Sequence, residues 1–104
     1  MNILEEYKQM VAQTIGPTTN LACVGLGVAG EAGEAADYIK KMLYHGITPD
    51  YDKLDKEFGD VLWYVAAYCH IMELPLEQLM FKNIEKLRKR YPNGFIVGGG
   101  KRDE

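Results

Sequence analysis

A chain of 104 residues suits one domain with a modest core. Apolar residues make up 47% and charged residues 26%, with a net charge of −3 and no long basic run outside 86–90, which argues against a nucleic-acid surface but not against a phosphate ligand, because a metal reverses the local sign. No apolar run approaches the ~20 residues of a membrane span and the first residues carry two acids, so a cytoplasmic protein without a membrane or nucleic-acid partner is expected.

Proline and glycine divide the chain into four helical segments. The first is predicted over about 2–15, with Ile3, Tyr7, Met10, Val11 and Ile15 spaced for one face. Gly16-Pro17 ends it, and Thr18, Thr19 and Asn20 are N-cap candidates for a second helix over about 21–44. His45-Gly46 closes that helix. Thr48-Pro49-Asp50 opens a third helix that runs to about Met72, and Pro75 fits the first turn of a fourth that ends before Pro92. Only the short Phe95-Ile96-Val97 competes as a strand. The expected organisation is a single all-α domain over 1–97, a four-helix bundle-like unit, with a flexible tail over 98–104.

Residues 21–30 carry no charge, and neither do 61–69, where apolar positions go all the way round. A helix apolar all round is buried on all sides, whereas a lone four-helix unit leaves each helix an outer face. The missing cover implies a homo-oligomer. Cys23 and Cys69 lie in these stretches and read as buried free thiols. Gly25, Gly27, Gly30 and Gly33 each cost the second helix about 1 kcal/mol relative to alanine. Close helix–helix approach explains them, or thin packing that leaves room for a ligand.

The chemistry lies in two acid pairs. Glu31 and Glu34 follow the first uncharged stretch, and Glu57 and Asp60 precede the second. Each pair is spaced i, i+3 and shares one helix face, which Tyr38, Lys41 and His45 continue on the second helix and Lys53, Tyr64 and Tyr68 on the third. Surface acids are often spaced so, but the apolar flanks set these at a buried boundary, where unpaired charge is costly. Four converging carboxylates raise one another's pKa, and a hard divalent ion relieves them. Mg²⁺ takes oxygen ligands and keeps waters for substrate phosphates. A di-iron site needs Glu-x-x-His pairs, which neither His45 nor His70 completes. On the fourth helix, Leu76, Leu79, Asn83, Leu87 and Arg90 form one inward stripe with Lys86 at its edge. Its basic end reads either as snorkelling side chains or as donors to phosphate oxygens.

Together these motifs resemble the MazG-like, all-alpha nucleoside triphosphate pyrophosphohydrolases. The signature is Glu-x-x-Glu, then Glu-x-x-Asp some two dozen residues later; here it reads Glu31-x-x-Glu34 and Glu57-x-x-Asp60, within GEAGE and EFGD. The run from Asn83 through Arg90-Tyr91-Pro92 looks like the end of the family's fourth helix. The resemblance covers about 21–95. It implies hydrolysis between the α and β phosphates of a nucleoside triphosphate, giving a monophosphate and pyrophosphate. It implies Mg²⁺, with Mn²⁺ as a substitute, bound by Glu31, Glu34, Glu57 and Asp60. It implies phosphate contacts from Lys41, Asn83, Lys86 and Arg90, an aromatic place near the nucleotide for Tyr64, and assembly as a dimer or tetramer. The relatives include housecleaning enzymes of the nucleotide pool, so base and sugar stay open. Glu31 or Glu34 could orient a water and take its proton. The alternatives are a non-catalytic nucleotide- or metal-sensing subunit and a purely structural helical oligomer.

Overall fold

Hydrogen-bonding side chains set the starts of three helices in the computed structural model, which describes residues 2–95 and 97. The helices are α1 (Ile3–Thr14), α2 (Leu21–Tyr44), α3 (Tyr51–Ile71) and α4 (Leu76–Arg90). Asn2 accepts from the Glu5 amide at 2.9 Å, Asn20 from Cys23 at 2.9 Å and Asp50 from Lys53 at 3.2 Å. Each thereby satisfies an amide that the first helical turn leaves open. Of the three N-cap candidates for α2, Asn20 fills the role. Pro75 precedes α4 and caps without a side-chain bond. The turn between α3 and α4 is closed by the Leu74 amide on the Cys69 carbonyl at 2.9 Å, with Glu73 at φ 52° where glycine is the usual choice. Among the described residues there is no strand, only an isolated bridge between Pro92 and Gly94. Ile96 and the predicted tail over 98–104 lie outside the described residues.

α3 is the centre of the architecture. α2 packs along it, α1 crosses it, and α4 leans on its end. Val11, Val24, Ala66, Ala67, Cys69 and Leu76 form the buried core, with Leu4, Tyr7, Val28, Trp63 and Tyr68 among the half-buried residues around it. This is a helical hairpin with two helices added, more open than the predicted bundle-like unit, because α2 and α4 do not pack substantially on one another. Its radius of gyration is 16.6 Å, against about 13 Å for a compact chain of this length.

Several expected inward faces are not covered within the chain. On α1, Val11 is buried, but Ile3 and Met10 are exposed. The α4 stripe starts inward at Leu76 and Leu79; beyond them Asn83 and Leu87 are exposed, because α4 leaves α3 after its first turns. Cys69 is buried and Cys23 is exposed, so only one of the two free thiols lies in the core. The exposed Cys23 sits in the uncharged 21–30 stretch, where only Val24 is buried and Leu26 is 76% exposed. Close approach explains one helical glycine: a Cβ at Gly27 would collide with the Tyr64 ring, whereas Gly25, Gly30 and Gly33 face open space within the chain.

Candidate functional site

The antiparallel packing of α2 on α3 matches residues across the seam one turn at a time. Gly27 meets Tyr64, Glu31 feels Asp60, Glu57 feels Glu34, and Tyr38 lies under the Lys53 ammonium, 4.9 Å from the ring centroid. The Tyr38 hydroxyl accepts from the Asp50 amide at 3.0 Å, tying the start of α3 to α2. The i, i+3 acid pairs of both helices therefore face the same seam.

One carboxylate oxygen from each of Glu31, Glu57 and Asp60 lies within 4.8 Å of the other two. Glu34 is exposed and stands close enough to Glu31 and Glu57 for its charge to act on both. Burial pushes the Glu31 carboxyl above the ordinary carboxylate range, and Glu34, Asp60 and Glu57 push it further in the same direction. Burial likewise raises Glu57, helped by Glu34 and Asp60 and opposed by Lys53. The two glutamates are half-buried, and one oxygen of each, Glu31 Oε2 and Glu57 Oε2, is shielded from water without a hydrogen-bond partner. Buried polar atoms normally have partners, so these two orphaned acceptors call for a donor or a cation. An all-oxygen donor set of this kind fits a hard divalent ion.

The residues expected around the phosphates are placed less uniformly. Lys41 lies on α2 and is exposed, with its ammonium on Asp37 at 2.9 Å. That contact, and the one from Lys40, hold Asp37 below its ordinary range. Tyr64 is half-buried one turn after Asp60, against Gly27. Asn83, Lys86 and Arg90 lie along α4, whose first residue, Leu76, packs in the core with Cys69 near the end of α3. That end is about 14 Å along α3 from Asp60. The leading influences on Glu31 and Glu57 come from burial and from residues of α2 and α3.

Two neighbours of the site are not assigned to it from the sequence, where Tyr7 reads only as part of the inward face of the first helix. Tyr7, half-buried on α1, has its phenol pKa raised by burial and then by the charge of Asp60, which places α1 beside the cluster. Trp63 donates its indole N–H to the Thr14 hydroxyl at 2.8 Å. Trp63 does follow Asp60 by three residues, but no spacing within α3 reveals that Thr14 of another helix lies opposite; that depends on how α1 crosses α3.

Residues 19–95 match the family model for the MazG nucleotide pyrophosphohydrolase domain. That span contains all four acids and omits α1. Over 84 residues the chain is 39% identical to the Gene 37 protein of Mycobacterium phage L5, an alignment covering 77% of this chain and 74% of that protein. No solved structure gives a significant match.

Proposed function

The chain belongs to the MazG nucleotide pyrophosphohydrolase family, and we propose on that footing that it cleaves a nucleoside triphosphate between its α and β phosphates. The products are a nucleoside monophosphate and pyrophosphate, and the role is housecleaning of the nucleotide pool. The family is generally divalent-metal dependent, and the acid cluster offers a site for such an ion. The observation that carries the reading is the pair of shielded, partnerless oxygens on Glu31 and Glu57.

In this reading Glu31, Glu34, Glu57 and Asp60 would hold Mg²⁺ or, in its place, Mn²⁺. The bound ion supplies neutralisation of phosphate charge and a more acidic water. Glu31 and Glu34 are the candidates to orient the attacking water and accept its proton. Burial and neighbouring carboxylates raise the proton affinity of Glu31, which suits it to that role. Lys41 would exchange its surface partner Asp37 for a phosphate oxygen, a small loss because exposed ion pairs contribute little. Tyr64 would line the nucleotide beside Gly27. Asn83, Lys86 and Arg90 would supply phosphate donors in a homo-oligomer, a dimer or a tetramer. No helix among the described residues is long and apolar enough to cross a membrane. A cytoplasmic location and the absence of a nucleic-acid partner belong to the same proposal.

The test is a panel of ribo- and deoxynucleoside triphosphates incubated with Mg²⁺ or Mn²⁺, with products separated by anion exchange. Monophosphate and pyrophosphate are expected as primary products. Diphosphate and orthophosphate would refute the bond assignment, and no turnover across the panel would leave the sensing subunit as the better reading.

A further inference from the structure

The first helix precedes the stretch matched to the family, yet it makes a specific polar contact next to the acids. Thr14 stands in the last turn of α1. Its hydroxyl donates to the Met10 carbonyl at 2.8 Å and accepts the Trp63 indole N–H at 2.8 Å. A hydroxyl has one donor and two acceptor sites, so both of these roles are met at once. Trp63 is half-buried against the core cluster, and its ring meets the Tyr64 ring edge-on, with centroids 5.0 Å apart and planes at 87°. Such a T-shaped pair is directional, because the positive edge of one ring meets the negative face of the other. Tyr64 in turn lies against Gly27, at the one glycine of α2 whose missing Cβ makes room for a ring. Gly27 is one turn before Glu31, and Tyr64 is one turn after Asp60. An unbroken chain of contacts thus runs from the end of α1 to the wall of the acid cluster.

We propose that Thr14 is a positioning residue of this site: its hydroxyl fixes Trp63, and Trp63 holds Tyr64 against Gly27, so that α1 sets the wall on which the nucleotide is seated. The inference rests on the reading of the acid cluster as a triphosphate site. Tyr64 has a fixed place when its neighbours are fixed, and loosening a wall that ground state and transition state use alike weakens substrate binding while leaving the chemical step unchanged. Thr14→Val keeps the shape of the side chain and removes the hydroxyl. Thr14→Ser keeps both polar contacts. Trp63→Phe keeps a ring and removes the N–H.

The experiment measures steady-state kinetics for the best-cleaved triphosphate of the panel with wild type, Thr14→Val, Thr14→Ser, Trp63→Phe and the Thr14→Val/Trp63→Phe double variant. Thr14→Val is expected to raise KM about tenfold with kcat within about twofold, the mark of lost substrate positioning rather than lost chemistry. Thr14→Ser should restore the wild-type KM. The double variant should be no worse than either single, because both remove the same bond. Trp63 is the sole tryptophan, so its emission reports this contact directly. The emission should shift when the α,β-methylene analogue of that triphosphate binds wild type with Mg²⁺, and the shift should shrink in Thr14→Val. An unchanged KM in Thr14→Val, additive effects in the double variant, or a loss that serine fails to rescue would overturn the inference. If Thr14→Val does not fold, an unchanged KM in Trp63→Phe overturns it as well. A wild type that cleaves nothing overturns the parent reading and this inference with it, whereas a cleaving wild type with an indifferent Thr14→Val overturns this inference alone.

Discussion

Glu57 carries the sharpest consequence at the scale of single residues. Burial and the nearby Glu34 raise its carboxyl pKa in the folded chain. A raised carboxyl pKa means that the folded state binds the proton more tightly than the unfolded state. Its stabilising contribution is then present at low pH and is lost as pH rises through the raised value. At neutral pH without metal the ionised group therefore weakens the fold. Glu57→Gln should raise the melting temperature in EDTA. In excess Mg²⁺ the order should reverse, since the wild type gains the free energy of ion binding and the variant gains less. Turnover should fall about 100-fold or more. Paired unfolding curves with EDTA and with Mg²⁺ make the check, and an identical difference in both conditions would remove Glu57 from the metal site. The acid pairs were legible in the sequence because i, i+3 spacing on a helix settles which side chains share a face. The orphaned Oε2 atoms were not, because shielding of a single oxygen depends on the neighbouring helix.

Caps and glycines decide the single helix. Asn20 is the side-chain cap of α2, the longest helix at 24 residues, and α2 begins with an uncharged stretch in which Leu21 and Cys23 are exposed. That first turn has few packing contacts to hold it, so the cap matters. Asn20→Ala should destabilise the protein by about 1 kcal/mol, read as a shift of the urea midpoint at constant slope. A change below about 0.3 kcal/mol would show that the start of α2 frays without consequence. Helix existence and ends were readable at this scale because caps and breakers are local chemistry. Which glycine mattered was not: four stand in α2, and Gly27 alone faces a ring, a property of its place opposite Tyr64.

For the whole molecule, the surface left uncovered is the main observation. The chain exposes 7919 Å². A compact monomer of 11.7 kDa would expose about 5,900 Å². Among the described residues Val11 is the only large side chain fully buried, while Met80, Phe81, Ile84 and Leu87 of α4 are all at least 42% exposed. An apolar face of this kind is the surface that the proposed homo-oligomer would cover. Light scattering at micromolar concentration should give a mass of at least two chains. Ile84→Glu should lower it or shift assembly to higher concentration, because a charge would have to be desolvated in the contact. A folded, monodisperse monomer for the wild type would refute the oligomer.

The sequence by itself determined the four helices, nearly to their ends, and the two acid pairs with the family they signal. Both follow from periodicity and capping, which act within a few residues of chain. The tertiary structure alone decided which residues meet across a seam: Glu31 with Asp60, Tyr64 with Gly27, Trp63 with Thr14. It also decided that α4 leaves α3 after Leu79 rather than closing a bundle. These are matters of register and crossing between distant segments. An apolar stripe states that a helix needs cover, but many partners can satisfy a non-directional force, and only the packed chain shows which one does.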